Sequence, residues 1–345
     1  MEDLFENKVV LITGGTGFLG RAITKRLLET GVKSIRLFSR DEVKHHHTQE
    51  FFNNHKKIRN FVGDVRDYQR LLKATKGVDI LIHAAALKRI DMIEYNVEEA
   101  IQTNILGSIN IVRCSLENNI NKVIFVSTDK ACSPVNTYGA CKFVGERIFS
   151  ESNYSKGSAK TVFTVVRYGN VLESTGSVIP FFTNRIKSGK PIPLTDSRMT
   201  RFIINSDQAV DLIFNAIKYG KGGEIFVPKL PSMKISDLIE VLKERYEQDC
   251  RIEEIGIRPG EKIHEIMIND AEVPRSYHFK NLFIINPAII NPWVDKEEND
   301  TIKINDLQPV VGRTEYSSKD SLISKDELKR LLWEILYSQE KSLKD

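Results

Sequence analysis

Lys8-Val-Val-Leu-Ile-Thr13-Gly14-Gly-Thr-Gly17-Phe-Leu-Gly20 is the stretch that decides the architecture. Its apolar first half predicts a short buried strand, and glycines spaced three apart follow at once. Leu19, Ala22, Ile23 and Leu27 then recur at the spacing of one helix face. Strand, glycine turn and helix in that order suit a pyrophosphate, because glycines let backbone N–H groups approach it and a helix N-terminus favours negative charge. The spacing is Gly-x-x-Gly-x-x-Gly rather than Gly-x-Gly-x-x-Gly, so the context carries the reading. Gly14, Thr16, Gly17, Phe18, Leu19 and Gly20 are the candidate dinucleotide-binding residues of this loop.

Working outward, Ser34-Ile-Arg-Leu-Phe38 predicts a second strand ending in Ser39-Arg40-Asp41. A carboxylate near this point meets a free ribose 2′-hydroxyl. Here Ser39 occupies the place and Arg40 follows, and a guanidinium pairs with a 2′-phosphate. NADP is therefore favoured over NAD, with Asp41 keeping the alternative open. His45-His46-His47 reads as a solvated face, since adjacent side chains point in different directions. Asn60-Phe-Val-Gly-Asp64-Val65 is a third strand and its end, with Asp64 placed to accept from an adenine amino group. Val78-Asp-Ile-Leu-Ile-His83 is a fourth, running into Ala84-Ala-Ala86. The small side chains there fit either close approach of a ligand or tight packing, and His83 reads as structural. A helix predicted over 105–117, after Asn104, leads to a fifth strand, Lys122-Val-Ile-Phe-Val126, and Thr161-Val-Phe-Thr-Val-Val-Arg167 is a sixth. Strands alternating with helices predict an α/β fold with a doubly wound parallel sheet.

Past Tyr168 the texture changes to short pieces broken by Gly and Pro, beginning with Ser177-Val-Ile-Pro-Phe-Phe182. We expect a dinucleotide-binding domain over residues 1–168, completed by 203–227, and a smaller α/β substrate lobe from 169–202 and 228–286. Residues 287–345 form an extension whose function is not legible, with a helical pattern over 325–337.

The totals bound the class. The chain has 345 residues, 41% hydrophobic and 28% charged, with a formal charge of +4. These values describe an ordinary soluble globular protein without the basic stripe of a nucleic-acid binder. Cys114, Cys132, Cys141 and Cys250 lack paired or metal-like spacing and read as reduced thiols of a cytoplasmic protein. No apolar run is long enough to span a membrane, the acidic N-terminus lacks a signal-peptide pattern, and no metal site is expected.

The chemistry gathers where the fifth strand ends, at Ser127-Thr128-Asp129-Lys130, with Tyr138-Gly-Ala-Cys-Lys142 close behind. Tyr138 and Lys142 share a helix face, so the ammonium is expected beside the phenol, favouring its ionised form. Such a pair can take the proton of a substrate hydroxyl as hydride leaves its carbon, with Thr128 holding the same oxygen. Asp129 and Lys130 ask for more. Oxidising a sugar at C4 acidifies its C5 proton, so a neutral Lys130 can remove that proton while a protonated Asp129 helps the C6 hydroxyl leave. Like charge from Lys142 and an oxidised nicotinamide is expected to depress Lys130. A plain ion pair capping the loop is the alternative for Asp129 and Lys130.

These motifs, with Gly63-Asp-Val-Arg-Asp67, Ala84-Ala-Ala-Leu-Lys88, Asn136-Thr-Tyr138, Arg167-Tyr-Gly-Asn-Val171, Met199-Thr-Arg-Phe202 and Arg258-Pro-Gly-Glu-Lys262, resemble the extended short-chain dehydrogenase/reductase family. Within it the resemblance is to the nucleotide-sugar 4,6-dehydratases, over about residues 5 to 290. It is strongest to the inverting UDP-N-acetylglucosamine 4,6-dehydratases of pseudaminic acid biosynthesis. The resemblance implies a hydro-lyase with catalytic Asp129, Lys130 and Tyr138, assisted by Thr128 and Lys142. It implies tightly held NADP and a product of L-arabino configuration, UDP-2-acetamido-2,6-dideoxy-β-L-arabino-hex-4-ulose. It places Lys88, Asn170, Thr195, Arg201, Arg258, Pro259, Gly260 and Glu261 at substrate or UDP contacts, and implies a homo-oligomer, often a hexamer. Asp-Lys separates this pattern from retaining relatives with Asp-Glu. A UDP-sugar C4-epimerase is the rival, and it needs no acid/base pair beside Thr128. A non-catalytic redox sensor has no use for Tyr138 and Lys142.

Overall fold

In Val9–Thr13 four of five residues are buried, the pattern of a strand covered on both faces. The computed structural model describes residues 2–172, 178–288 and 307–342, so Ser177 and part of the C-terminal extension lie outside the described residues. Ten strands form the main sheet. Numbered along the chain, they are β1 (Val9–Thr13), β2 (Ser34–Ser39), β3 (Ile58–Val62), β4 (Ile80–His83), β5 (Lys122–Val126), β6 (Val162–Val166), β7 (Ile225–Pro228), β8 (Ser276–Phe279), β9 (Leu282–Ile285) and β10 (Gln308–Pro309). Their order is β10-β8-β9-β7-β6-β5-β4-β1-β2-β3. From β3 through β7 every pairing is parallel. This is the doubly wound Rossmann order, with its switch point between β1 and β4, where such sheets bind ligands beyond the strand ends.

The helices Phe18–Leu28, Gly107–Glu117, Thr137–Ser155 and Ser206–Tyr219 each bury an apolar stripe. The helix expected over 105–117 starts earlier, because residues Ile101–Leu106 form a π-helical segment that runs into it. Such segments concentrate at functional sites. This one holds Asn104, whose amide accepts from Leu87 N and donates to Leu87 O, both at 2.9 Å.

A second core gathers Phe182, Ile186, Leu194, Met199, Leu238 and Leu242, with Leu328 and Leu332 from the C-terminal helix Lys325–Ser342. Residues 276–285, expected in the smaller lobe, instead extend the main sheet as an antiparallel hairpin on β7. The extension follows both bodies. Gln308–Pro309 pairs with β8, and Tyr316–Ser317 pairs with Ile266–Ile268. All four cysteines are buried and free. No helix among the described residues is long and apolar enough to cross a membrane.

Candidate active site

Beyond β5 the chain stays aligned with its neighbour, since Ser127 N donates to Val166 O at 2.7 Å and Asp129 N to Tyr168 O at 3.0 Å. Thr128 caps a single 3₁₀ turn, Asp129–Ala131. Asn136 caps the Thr137–Ser155 helix by accepting from Gly139 N at 2.7 Å. A Cβ at Gly139 would overlap the Lys130 carbonyl, so only glycine lets the helix start lie directly on the turn. That contact brings Tyr138 to Asp129 and Lys130.

Asp129 is fully buried. Its Oδ1 accepts from Thr128 Oγ1 and Lys130 Nζ, each at 3.0 Å. Its Oδ2 has no partner among the described residues. Lys130 Nζ also donates to Asn170 Oδ1 at 3.1 Å and lies 3.7 Å from Glu265 Oε1. Burial pulls Lys130 down, but the Asp129 and Glu265 carboxylates outweigh it and the net shift is upward. This direction is opposite to the depression expected from Lys142 and a nicotinamide, because the protein charges facing the lysine are mainly carboxylates. Burial pushes the Tyr138 phenol up to about 12, against the Lys130 ammonium and a hydrogen bond with Thr128, which lower it. Lys142 is placed differently from expectation. It donates to Val126 O at 2.8 Å and sits 4.4 Å above the Phe125 ring, and burial lowers it to about 8 against the opposing pull of Glu146. The ammonium acting on the phenol is therefore that of Lys130.

The substrate-side candidates divide. Asn170 and Arg201 join the cluster, Arg201 through Glu265 at 3.6 Å and through bonds to the Thr200 and Ile263 carbonyls at 2.8 and 3.1 Å. Residues 258–261 form a turn in which Arg258 and Pro259 are exposed. Asn136 Nδ2 donates to Gly260 O at 2.8 Å and Lys262 Nζ to Cys132 O at 2.7 Å, which ties the turn to the start of the Thr137–Ser155 helix and to the end of the 3₁₀ turn. Glu261 Oε2 is buried without a partner among the described residues. Lys88 is exposed on the loop that Asn104 clamps. Thr195, past the strand Ile192–Leu194, is half-buried and outside this network.

The glycine turn has the form a dinucleotide needs. Gly14 has φ +69°, and a Cβ there would lie 3.0 Å from Ala85 N, so this turn packs on the alanine loop that begins at Ala84. Gly17 begins the Phe18–Leu28 helix, which has no side-chain cap and no acid in its first turn, leaving N–H groups for an anion. Thr16 N approaches Ser39 Oγ at 3.3 Å. Arg40 is half-exposed and 3.6 Å from Asp64, which Arg66 also grips; against burial, Arg66 holds that carboxyl below its usual range. Val65 beside it is buried. Asp41 caps the Glu42–Phe51 helix by accepting from Lys44 N at 3.0 Å, so it already has a structural partner.

Two histidine readings meet different outcomes. His83 is buried between Thr13 Oγ1 at 2.7 Å and Ser108 Oγ at 3.2 Å, a structural position as the sequence implies. The solvated reading fails for His45, which is buried and bonds Asn60 and the Ser39 carbonyl, each at 3.1 Å, because it faces the end of β2. Sequence reasoning missed Glu265 and the buried trio Arg167, Glu146 and Glu272. Their signal is a charge embedded in an apolar run: Arg167 after β6, and Glu265 before Ile266–Ile268.

Residues 10–287 match the model of a family described as polysaccharide biosynthesis protein. An inverting UDP-N-acetylglucosamine 4,6-dehydratase of Campylobacter jejuni is 45% identical over 324 residues, covering 92% of this chain and 94% of that protein. A UDP-glucose 4-epimerase of Rickettsia massiliae is 39% identical over 286 residues, covering 82% and 84%. Among solved structures, Pen from Bacillus thuringiensis has a TM-score of 0.88 and 38% identity, covering 96% of this chain and 98% of that one.

Proposed function

The chain belongs to the polysaccharide biosynthesis protein family, and from that premise we propose that it is a nucleotide-sugar 4,6-dehydratase acting on UDP-N-acetylglucosamine with inversion at C5. The observation that carries this reading is the Asp129–Lys130 pair, 3.0 Å apart beside Thr128 and Tyr138, with one buried Asp129 oxygen left unpartnered among the described residues. Tyr138, in its phenolate form, takes the proton of the C4 hydroxyl while Thr128 holds that oxygen. Once Lys130 has passed its proton to Asp129 across their 3.0 Å contact, the free amine removes the C5 proton, made acidic by the C4 carbonyl, and the protonated Asp129 donates to the departing C6 hydroxyl. Reprotonation at C5 on the opposite face gives UDP-2-acetamido-2,6-dideoxy-β-L-arabino-hex-4-ulose, the first intermediate of pseudaminic-acid-type biosynthesis.

The glycine turn and its uncapped helix fit NAD(P), and the Ser39–Arg40 end of β2 suits the 2′-phosphate of NADP. Gly14, Thr16, Gly17, Phe18, Leu19, Gly20, Ser39, Arg40, Asp64, Val65, Ala84, Tyr138 and Lys142 would hold it. When bound, it supplies a reversible hydride acceptor between C4 and C6. Lys88, Asn170, Thr195, Arg201 and residues 258–261 are the proposed sugar and UDP contacts.

A C4-epimerase is the second reading, favoured by the Rickettsia relative and by the complete Thr128, Tyr138 and Lys142 set. NMR of the product from UDP-N-acetylglucosamine in deuterated water separates the two. A 4-keto-6-deoxy sugar with deuterium at C5 is expected, whereas UDP-N-acetylgalactosamine alone would establish the epimerase.

A further inference from the structure

We propose that Glu265 is a positioning residue of this site, fixing the Lys130 ammonium and the Arg201 guanidinium against each other from the position just before the strand Ile266–Ile268, which the C-terminal extension holds in place. The chemistry it would serve rests on the dehydratase reading, while the pairing itself rests on geometry. Glu265 is 3% exposed. A carboxylate at that depth is costly unless cations face it. Oε1 lies 3.7 Å from Lys130 Nζ and 3.6 Å from Arg201 Nε, so one oxygen spans both. The other, Oε2, has no partner among the described residues.

Its backbone is held with unusual completeness. Glu265 N donates to Ser318 Oγ at 2.9 Å, Ser318 N returns a bond to Glu265 O at 2.8 Å, and Ser317 Oγ reaches the same carbonyl at 3.3 Å. Ser318 Oγ also meets Thr200 Oγ1 at 2.6 Å, one residue before Arg201, and Ser232 Oγ donates to Ser318 O at 2.5 Å. Acid and guanidinium thus hang from one fully buried serine of the extension. The Tyr316–Ser317 pairing carries a register shift between Ile266 and Ile268, directly after Glu265, and such irregularities re-aim neighbouring side chains.

Lys130 is faced by Asp129 on its own turn, by Tyr138 from the Thr137–Ser155 helix, by Asn170, and by Glu265 and Arg201 from the lobe side. Within that set Glu265 balances the Lys130 and Arg201 charges and holds the Lys130 nitrogen in place, so that the lysine is correctly aimed once it has passed its proton to Asp129.

The test compares wild-type holoprotein with Glu265→Gln and Glu265→Asp. Lys130 ionisation is read by competitive acetylation and peptide mass spectrometry across pH, beside kcat and KM for UDP-N-acetylglucosamine and thermal melting. In Glu265→Gln the Lys130 midpoint should fall by about one pH unit or more, and kcat by about tenfold or more with KM within about twofold. Glu265→Asp retains the charge and should restore the midpoint, with intermediate kcat. If Glu265→Gln does not fold, Ser318→Ala loosens the same anchor and should shift both readouts in the same direction. An unmoved Lys130 midpoint overturns the proposal, as does a rise in KM at unchanged kcat, which makes Glu265 a substrate ligand. Failure of the dehydratase reading looks different: wild type yields no 4-keto sugar while the midpoint shift persists, which upholds the pairing.

Discussion

Asp129 shows at the scale of one residue how stability is traded for chemistry. A buried carboxylate oxygen without a partner costs about 1–3 kcal/mol, and Oδ2 stands in that condition among the described residues. A substrate hydroxyl or a proton would satisfy it. Asp129→Asn keeps the shape and removes the acid, so dehydration should drop by roughly 100-fold or more with the melting temperature largely retained. Product NMR checks this, and near-wild-type turnover would move the acid elsewhere. Lys142 makes the complementary case. Its ordinary value is 10.5 and burial lowers it to about 8, a gap of roughly 3 kcal/mol. The sign follows from which state binds the proton. Between pH 8 and 10.5 the unfolded chain stays protonated while the native one does not, so stability rises with pH across that window and the full cost is present below it. Lys142→Met should therefore melt no lower than wild type at pH 7, with the difference closing above pH 10.5, while activity is lost. Melting well below wild type would show that the bond to Val126 outweighs the burial cost. Residue types and the i,i+4 spacing were enough to pick Asp129 and Lys142, but not the contacts of the lysine. Spacing fixes the helix face, whereas the rotamer depends on Phe125 and the Val126 carbonyl, which lie on β5.

At the scale of elements, the site hangs on junctions. Arg167, just past β6, donates to Glu146 of the Thr137–Ser155 helix at 2.9 and 2.6 Å and to Glu272 at 2.8 and 2.9 Å, and it is fully buried. Ser127 donates to the same Glu146 at 2.6 Å. One guanidinium thus binds strand, helix and the segment leading to β8. Arg167→Met should cost about 3–5 kcal/mol, because it strands two buried carboxylates. Urea unfolding reads this, and a loss under about 1 kcal/mol would mean that the acids find other partners. The glycine turn and the parallel strands were legible because periodicity and turn chemistry are local. The β8–β9 hairpin was not. Its residues read equally well as lobe strands, and only the open edge of β7, encoded some fifty positions earlier, decides where they pair.

At the scale of the molecule, buried titratable groups distribute over the fold in a way that sets its acid limit. His83, under the switch point between β1 and β4, is lowered by burial and by Lys142 to about 3 from 6.5. Glu272 is raised by burial but pulled further down by Arg167, to about 2 from 4.5. Below pH 6.5 the unfolded chain protonates its histidine while the native one does not, so stability declines by about 1.4 kcal/mol per pH unit from this group. Below pH 4.5 Glu272 adds the same sign, since its stabilisation is present above its unfolded value and is lost as pH falls toward 2. The free energy of urea unfolding should therefore decline from pH 6.5 and steepen below about 4.5. His83→Gln keeps hydrogen-bonding capacity for Thr13 and Ser108 without the titration. It should flatten the limb between pH 6.5 and 4.5 and reduce the slope by the same amount from 4.5 down to about 3, leaving the part that Glu272 contributes. An unchanged upper limb in that variant would assign the acid sensitivity to other groups and remove His83 from the account.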